Sequence, residues 1–169
     1  IDLAPIFAIT FSPNFEADGL AYAASEAGLR ESRDGGTSWK SLDTDTRFIQ
    51  DTPTTAIALS PNFASDGTIF ASIQGAILYS NDCGIHWKIS TLGLPSPIVS
   101  AIGVSPNFGQ DNTLFVTTLE DGVFCSTDGG KTFGRCSFHL YDVSVNCIAM
   151  SPKYHESKSL WVGTEISIF

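Results

Sequence analysis

The chain has 169 residues, 43% of them hydrophobic and 16% charged, which is enough for one domain with a real core and too apolar for a disordered segment. A formal net charge of −9, a pI near 4.5 and no Lys/Arg cluster argue against nucleic-acid binding and adhesion to anionic lipid, since an acidic surface repels phosphate. No apolar run reaches the ~18 residues of a membrane span, so no membrane insertion is predicted. The opening IDLAPIFAIT lacks the basic start and cleavage site of a signal peptide. The absence of an initiator Met fits a mature product, an excised domain or the ordered part of something longer.

Read in chain order, the sequence repeats itself. FSPNF at residues 11–15 is followed by ADGLAYAAS, then by SRDGGTSW at 32–39. LSPNF (59–63) leads to SDGTIFASI and SNDCGIHW (80–87). VSPNF (104–108) leads to QDNTLFVTT and STDGGKTF (126–133), and MSPKY (150–154) leads to SKSLWVGTE. The first motif recurs in steps of 48, 45 and 46 residues and the second in steps of 48 and 46, so two independent motifs keep one register. In the second unit the apolar stretches 55–60, 68–73, 76–80 and 86–90 read as four short strands, A to D. Connections of two to eight residues are too short for parallel crossovers, so each unit is an antiparallel meander. One such sheet cannot bury both faces, and units of this length stack radially as blades. The fold class predicted is an all-β propeller, a single partial ring with blades at about 6–48, 54–93, 98–138 and an incomplete one at 145–169. Its last residues, EISIF, align with strand C of the other units, and a propeller needs about 4–8 blades to close. Remaining blades, or another subunit, are therefore expected to complete the ring.

Ser32, Asp34, Gly36, Ser38 and Trp39 match the pattern S-x-D-x-G-x-[ST]-W, which resembles the Asp-box, or BNR repeat, of sialidase-like β-propellers. Ser80, Asp82, Gly84 and Trp87 match with His86 in place of Ser or Thr, and Ser126, Asp128, Gly130 and Thr132 match with Phe133 in place of Trp. The resemblance covers the whole chain through its repeats. Sialidases, xyloglucanases, sortilin-type receptors and photosystem assembly factors share this box, so it implies a fold more narrowly than a function.

The residue types point to a structural turn. A short Asp accepts backbone N–H groups just ahead of it, glycine permits positive φ, and the aromatic begins strand D and packs inward. A calcium loop would need several carboxylates per turn and a following Glu, which are missing, so no metal is predicted. Three equivalent copies of one Asp point to architecture rather than to one active site, so none is assigned as catalytic. In the SPNF segments, Pro13, Pro61 and Pro106 stop strand A, Asn14, Asn62 and Asn107 are read as bonding their own backbone, and Phe15, Phe63 and Phe108 as plugging the blade end.

Because antiparallel strands alternate direction, the A–B turns and the boxes share one end of the disc, and the variable B–C turns and D–A linkers share the other. Loops that vary on a rigid scaffold usually carry recognition, and in sialidase-like propellers the resemblance places the site opposite the boxes. The candidates there are Glu26, Asp45, Arg47, Asp51, Glu120, Asp121, His139 and Tyr141. The predicted role is a non-catalytic scaffold or binding module for a protein or glycan, without cofactor. The alternative is part of a glycoside hydrolase whose catalytic residues lie partly outside the chain, since Arg30, Arg33, Arg47 and Arg135 cannot assemble a sialidase arginine triad. A xyloglucanase-like enzyme would need two carboxylates across a cleft, for which Glu26, Glu120 or Asp121 are available. The composition and the resemblance lean toward an extracytoplasmic place. Cys83, Cys125, Cys136 and Cys147 match no zinc or thioredoxin spacing. They stand either as free thiols or with a disulfide among the last three.

Overall fold

A computed structural model describes residues 4–42, 52–93, 97–137 and 140–169. It shows three four-stranded antiparallel sheets and one two-stranded sheet, an arc of a β-propeller. The first blade is β1 (Ile6–Phe11), β2 (Ala21–Ser25), β3 (Gly28–Ser32) and β4 (Lys40–Ser41). The second is β5 (Ile57–Leu59), β6 (Ile69–Ile73), β7 (Ala76–Ser80) and β8 (Lys88–Thr91), and the third is β9 (Val99–Val104), β10 (Leu114–Thr118), β11 (Gly122–Ser126) and β12 (Gly134–Arg135). The fourth holds β13 (Val145–Met150) and β14 (Leu160–Thr164). Phe169 exchanges backbone hydrogen bonds with Val162, where a third strand would begin. Within each sheet the strands lie in sequence order. The A strands β1, β5, β9 and β13 approach one another in turn, so they form the inner edge of the arc.

Four single-turn helices stand where plain turns are expected. Phe15–Asp18, Phe63–Asp66 and Phe108–Asp111 follow the three SPNF segments, and Tyr154–Ser157 follows SPKY (α1 to α4). The side-chain work there is done by serine and aspartate, which corrects the assignment to asparagine. Asn14, Asn62 and Asn107 make no side-chain capping bond. Instead the Ser12 hydroxyl donates to Asp18 (2.6 Å) and the Asp18 carboxylate accepts the Leu20 N–H (2.9 Å). Ser60–Asp66–Thr68 and Ser105–Asp111–Thr113 repeat this bracket. A carboxylate after the helical turn can bind both the serine before it and the amide after it, and asparagine at the first position reaches neither.

The core lies between the sheets. Tyr22, Leu29 and Leu42 of blade one pack on Phe63, Ile69 and Trp87 of blade two. Ile77 and Leu92 meet Val116 and Phe124 in the next interface, and Phe115 and Val123 meet Val145 and Tyr154 in the last. One aromatic contact recurs across these interfaces. The ring at the second position of strand B stands edge-on to the helical-turn ring of the following blade. Tyr22 meets Phe63 at 5.9 Å, Phe70 meets Phe108 at 5.4 Å and Phe115 meets Tyr154 at 5.8 Å, with interplanar angles of 78–80°. The A strands are also tied by hydroxyls: Thr55 donates to the Val99 carbonyl at 2.7 Å and Ser100 to the Val145 carbonyl at 2.5 Å.

The same residue type behaves differently where no blade precedes it. Trp87 is 6% exposed against blade one, whereas Trp39 is 39% exposed and does not pack inward as expected. Ile6, Phe7, Ile9 and Phe11 of β1 are likewise exposed, although strand A was expected to be covered on both faces. Phe15, with no strand-B ring to meet, packs on Phe11 of its own blade at 4.9 Å. At the other end of the arc Trp161, the counterpart of Tyr22, is 50% exposed. Position in the arc, not local sequence, thus decides burial. Trp87→Ala is expected to cost about 3–5 kcal/mol, the range for emptying a buried aromatic site, and Trp39→Ala less than half of that. Urea unfolding of the two variants, followed by circular dichroism, checks the ranking; equal losses would overturn it.

Candidate functional site

The two ends of the arc are built differently. At one end, the turn after each third strand is closed by its own carboxylate. Asp34 accepts the Ser32 hydroxyl (2.8 Å), the Ser38 N–H (2.9 Å) and the Ser38 hydroxyl (2.5 Å). Asp128 accepts the Ser126 hydroxyl (2.8 Å), the Thr132 N–H (3.0 Å) and the Thr132 hydroxyl (2.6 Å). Asp82 accepts the Ser80 hydroxyl and the His86 N–H, and the His86 ring Nδ1 stands at 2.7 Å where the other turns place a hydroxyl. Imidazole at this position therefore preserves the bond that the sequence seemed to break. The serine hydroxyls in turn accept the N–H of Gly36, Gly84 and Gly130 at 2.9–3.0 Å. Trp39 and Trp87 close the turns by donating their ring N–H to the Gly36 and Gly84 carbonyls.

Two of these glycines also touch the preceding blade. A Cβ on Gly84 would stand 2.9 Å from Leu42, and one on Gly130 2.9 Å from Phe70. The one preceding Gly84, Cys83, takes φ of 61°, the left-handed region that Gly35 and Gly129 occupy in the other turns. The A–B turn and the box turn of each full blade are joined by a backbone bond: Gly35 N–H to Gly19, Cys83 N–H to Gly67 and Gly129 N–H to Asn112. The sequence expectation that these turns share one end thus matches the geometry. Among the described residues, no group of three or more His, Cys, Asp or Glu side chains converges as a metal site.

At the opposite end the B–C turns bond to the linkers that lead into the A strands. Glu26 N–H donates to Pro5, Gly75 N–H to Pro97 and Gly122 N–H to Val143. Glu26 is exposed on the β2–β3 turn of blade one. Glu120 and Asp121 lie on the β10–β11 turn of blade three, beside the linker that carries Tyr141, which is 93% exposed. The structure brings Glu120, Asp121 and Tyr141 into one loop cluster, with Glu26 two blades away. Asp45, Arg47, Asp51 and His139 lie outside the described residues. Of the arginines, Arg33 is paired with the buried Glu31 at 2.9 Å, and Arg30 donates to Ser41 on the same sheet. Arg135 lies on β12 of blade three and turns to Ser137. They belong to separate strands and turns and gather around no common point.

One residue of this end escaped the sequence reading. Asp142 accepts the Ser144 N–H at 2.9 Å. Its carboxyl is held below the usual range chiefly by that bond and also by the Thr164 hydroxyl and the Glu165 and Ile166 N–H groups. The D-x-S spacing of an Asx turn was the available signal.

No protein-family model matches the sequence, and no curated protein does. Solved structures do match. Over 93% of this chain and 21% of the other, it superposes on an ancestral GH74 enzyme with a TM-score of 0.72 at 20% identity. A GH74 xyloglucanase from Xanthomonas campestris gives 0.71 at 18% identity, covering 98% of this chain and 28% of the enzyme. The extracellular domain of a putative hybrid two component system from B. thetaiotaomicron gives 0.70 at 10% identity, covering 96% and 21%. The chain thus spans 21–28% of the length of these structures, and what it shares with them is the propeller fold. No helix among the described residues is long and apolar enough to cross a membrane.

The turn carboxylates titrate far from their ordinary range. Asp34 is lowered from 3.8 to about 2 by the Ser38 hydroxyl, the Ser38 N–H and the Ser32 hydroxyl. Asp128 is lowered to about 2 by the Thr132 hydroxyl and N–H and the Ser126 hydroxyl. At Asp82 burial pulls upward, yet the His86 N–H, Ser80 and the His86 ring bring it to about 2. Because the folded pKa is depressed, the unfolded chain binds more protons between these values. The three turns contribute in full above the unfolded pKa and lose their contribution as pH falls from about 4 toward 2. Carbon-detected NMR of the carboxyls is expected to show three aspartates titrating near 2, with thermal stability falling over that window. Normal titration near 3.8 would refute the bonding scheme.

Proposed function

We propose that this chain is an arc of an Asp-box propeller that binds a neutral glycan at its loop end as a non-catalytic module. The observation that carries the reading is Tyr141, an aromatic ring 93% exposed on a linker whose Val143 carbonyl accepts the N–H of Gly122, next to Glu120 and Asp121 on the β10–β11 turn. A fixed ring offers an apolar platform to the C–H face of a sugar, and adjacent carboxylates accept its hydroxyls. A net charge of −9 disfavours an anionic sugar such as a sialoside and so favours a neutral glucan. The turn end supports the same division, because its carboxylates are already committed to their own backbone. The likeness to a xyloglucanase supports glucan as the ligand class and keeps a second reading open, a segment of a glycoside hydrolase. The likeness to an extracellular domain supports an extracytoplasmic place.

Affinity electrophoresis and calorimetry against xyloglucan and mixed-linkage β-glucan oligosaccharides test this. Retention is expected, with no reducing sugar released, and Tyr141→Ala should weaken it about tenfold, roughly 1–2 kcal/mol. Release of reducing ends would favour the hydrolase; no retention would reject glycan binding.

We further propose that the two open blade faces seat additional blades of the same kind. Blade one carries a 490 Å³ recess lined by Ile6, Ile9, Ala23 and Trp39, the place where blade two receives Tyr22 and Leu42. Trp161 presents the complementary ring at the other end. Continuity with the three interfaces inside the chain supports a blade, not an unrelated protein, as the occupant. The isolated chain should therefore associate with rising concentration in sedimentation velocity, and Phe11→Lys and Trp161→Lys should each suppress it. A monomer at all concentrations would count against the seat.

A further inference from the structure

Blade three ends in a short outer strand, and it carries a pair of thiols. Its outer strand β12 is only two residues, both exposed. Its turn ends in Phe133, which has no ring N–H with which to bond the Gly130 carbonyl as Trp39 and Trp87 bond Gly36 and Gly84. Cys125 lies opposite Gly134 on the β11–β12 ladder, and the Cys136 N–H donates to Val123 at 2.8 Å. Val123, Cys125 and Cys136 therefore share one face, with Cys125 and Cys136 on a diagonal beside a glycine that has no side chain to separate them. Both sulfurs pack against the layer of Val145 and Tyr154, where Cys125 donates to the Ser126 carbonyl at 3.7 Å and Cys136 to the Val123 carbonyl at 3.5 Å.

From this juxtaposition we infer that Cys125 and Cys136 are a disulfide-forming pair that locks the outer strand of blade three. Cys83 and Cys147, both exposed, lie on the turn of blade two and on β13. The neighbouring Cys136 side chain lowers the Cys125 thiol, while Cys125 and burial raise Cys136, so Cys125 ionises first. Cys136 also lines a surface recess with Leu140, Tyr154 and Lys158. With a small-molecule disulfide such as oxidised glutathione, the Cys125 thiolate attacks one sulfur and a glutathione thiolate leaves. Cys136 then gives up its proton, attacks the Cys125 sulfur and displaces the second glutathione. Two protein thiols and one glutathione disulfide thus become one protein disulfide and two glutathione thiols, the two electrons passing to the oxidant.

The test uses the intact chain. Thiol titration in denaturant should count four before treatment with oxidised glutathione and two after it, with a non-reducing peptide map joining the peptides of Cys125 and Cys136. Oxidation should raise Tm by about 5–10 °C, reversed by dithiothreitol. Cys83→Ser and Cys147→Ser should each still lose two thiols, and Cys125→Ser and Cys136→Ser none to an internal bridge. The map of the unmutated protein decides the matter even where a variant fails to fold. Four surviving thiols, glutathione retained on both cysteines, or a bridge to Cys83 or Cys147 would each overturn the inference.

Discussion

A four-stranded sheet with apolar residues on both faces cannot stand alone in water, and every other feature of this chain follows from that constraint. Leu20, Tyr22, Ala24 and Leu29 of blade one are buried only because blade two lies on them. The repeat supplies the cover by making each blade the lid of the last. The edge-to-face pair between a strand-B ring and the next helical-turn ring shows how register between lids is kept: an offset of one residue would turn the ring to the other side of the sheet. At the first blade the same sequence elements lack that partner. Phe15 then folds back on Phe11 and Trp39 is left half covered.

The turns solve a different problem. A hairpin tip at the rim of a blade exposes backbone N–H groups that no neighbouring strand can accept. One carboxylate per turn takes three or four hydrogen bonds at once, and one serine hydroxyl both donates to that carboxylate and accepts a glycine N–H. The A–B turns reach the same end by a separate bracket, Ser12 with Asp18 and its repeats, and the two brackets are bonded to each other through Gly19 and Gly35. With its polar groups spent on itself, this rim has little left with which to recognise a ligand. The opposite rim carries varied linkers and exposed side chains.

Much of this was legible in the sequence because it repeats. Two motifs in one register defined the blade length, and the sign of each turn followed from antiparallel alternation. The Asp of the box could be read as a hydrogen-bond acceptor from its spacing to Ser32 and Ser38. What could not be read was anything that depends on the neighbour across a sheet face. Whether Trp39 is covered, what Phe63 touches and why Gly84 has no room for a side chain are decided by residues of another blade. The bracket of Ser12 and Asp18 was missed for a local reason: Asn14 is the stronger turn former by type, but the single helical turn carries its side chain away from the amides that need a partner. At the loop rim, Glu120, Asp121 and Tyr141 could be listed from sequence as variable polar residues, whereas the joining of their two loops depends on the bond between Gly122 and Val143.

Identities of 10–20% to structures of the same fold are understandable on these terms. Few positions per blade are constrained to one residue type, and several of those accept substitutes that preserve the interaction. His86 replaces a hydroxyl with a ring nitrogen at 2.7 Å from Asp82, and Tyr154 replaces Phe at the interblade pair with almost unchanged geometry. Cys83, Asn112 and Lys158 occupy left-handed positions where other blades use glycine, at a backbone cost of about 1 kcal/mol each that the surrounding bonds offset. Most remaining positions need only be apolar, or polar, on the correct side of a strand. A fold specified in this way drifts readily in sequence while its blades stay in register. The residues that distinguish one propeller from another are then concentrated where the lids and brackets impose nothing, on the linkers of the loop rim.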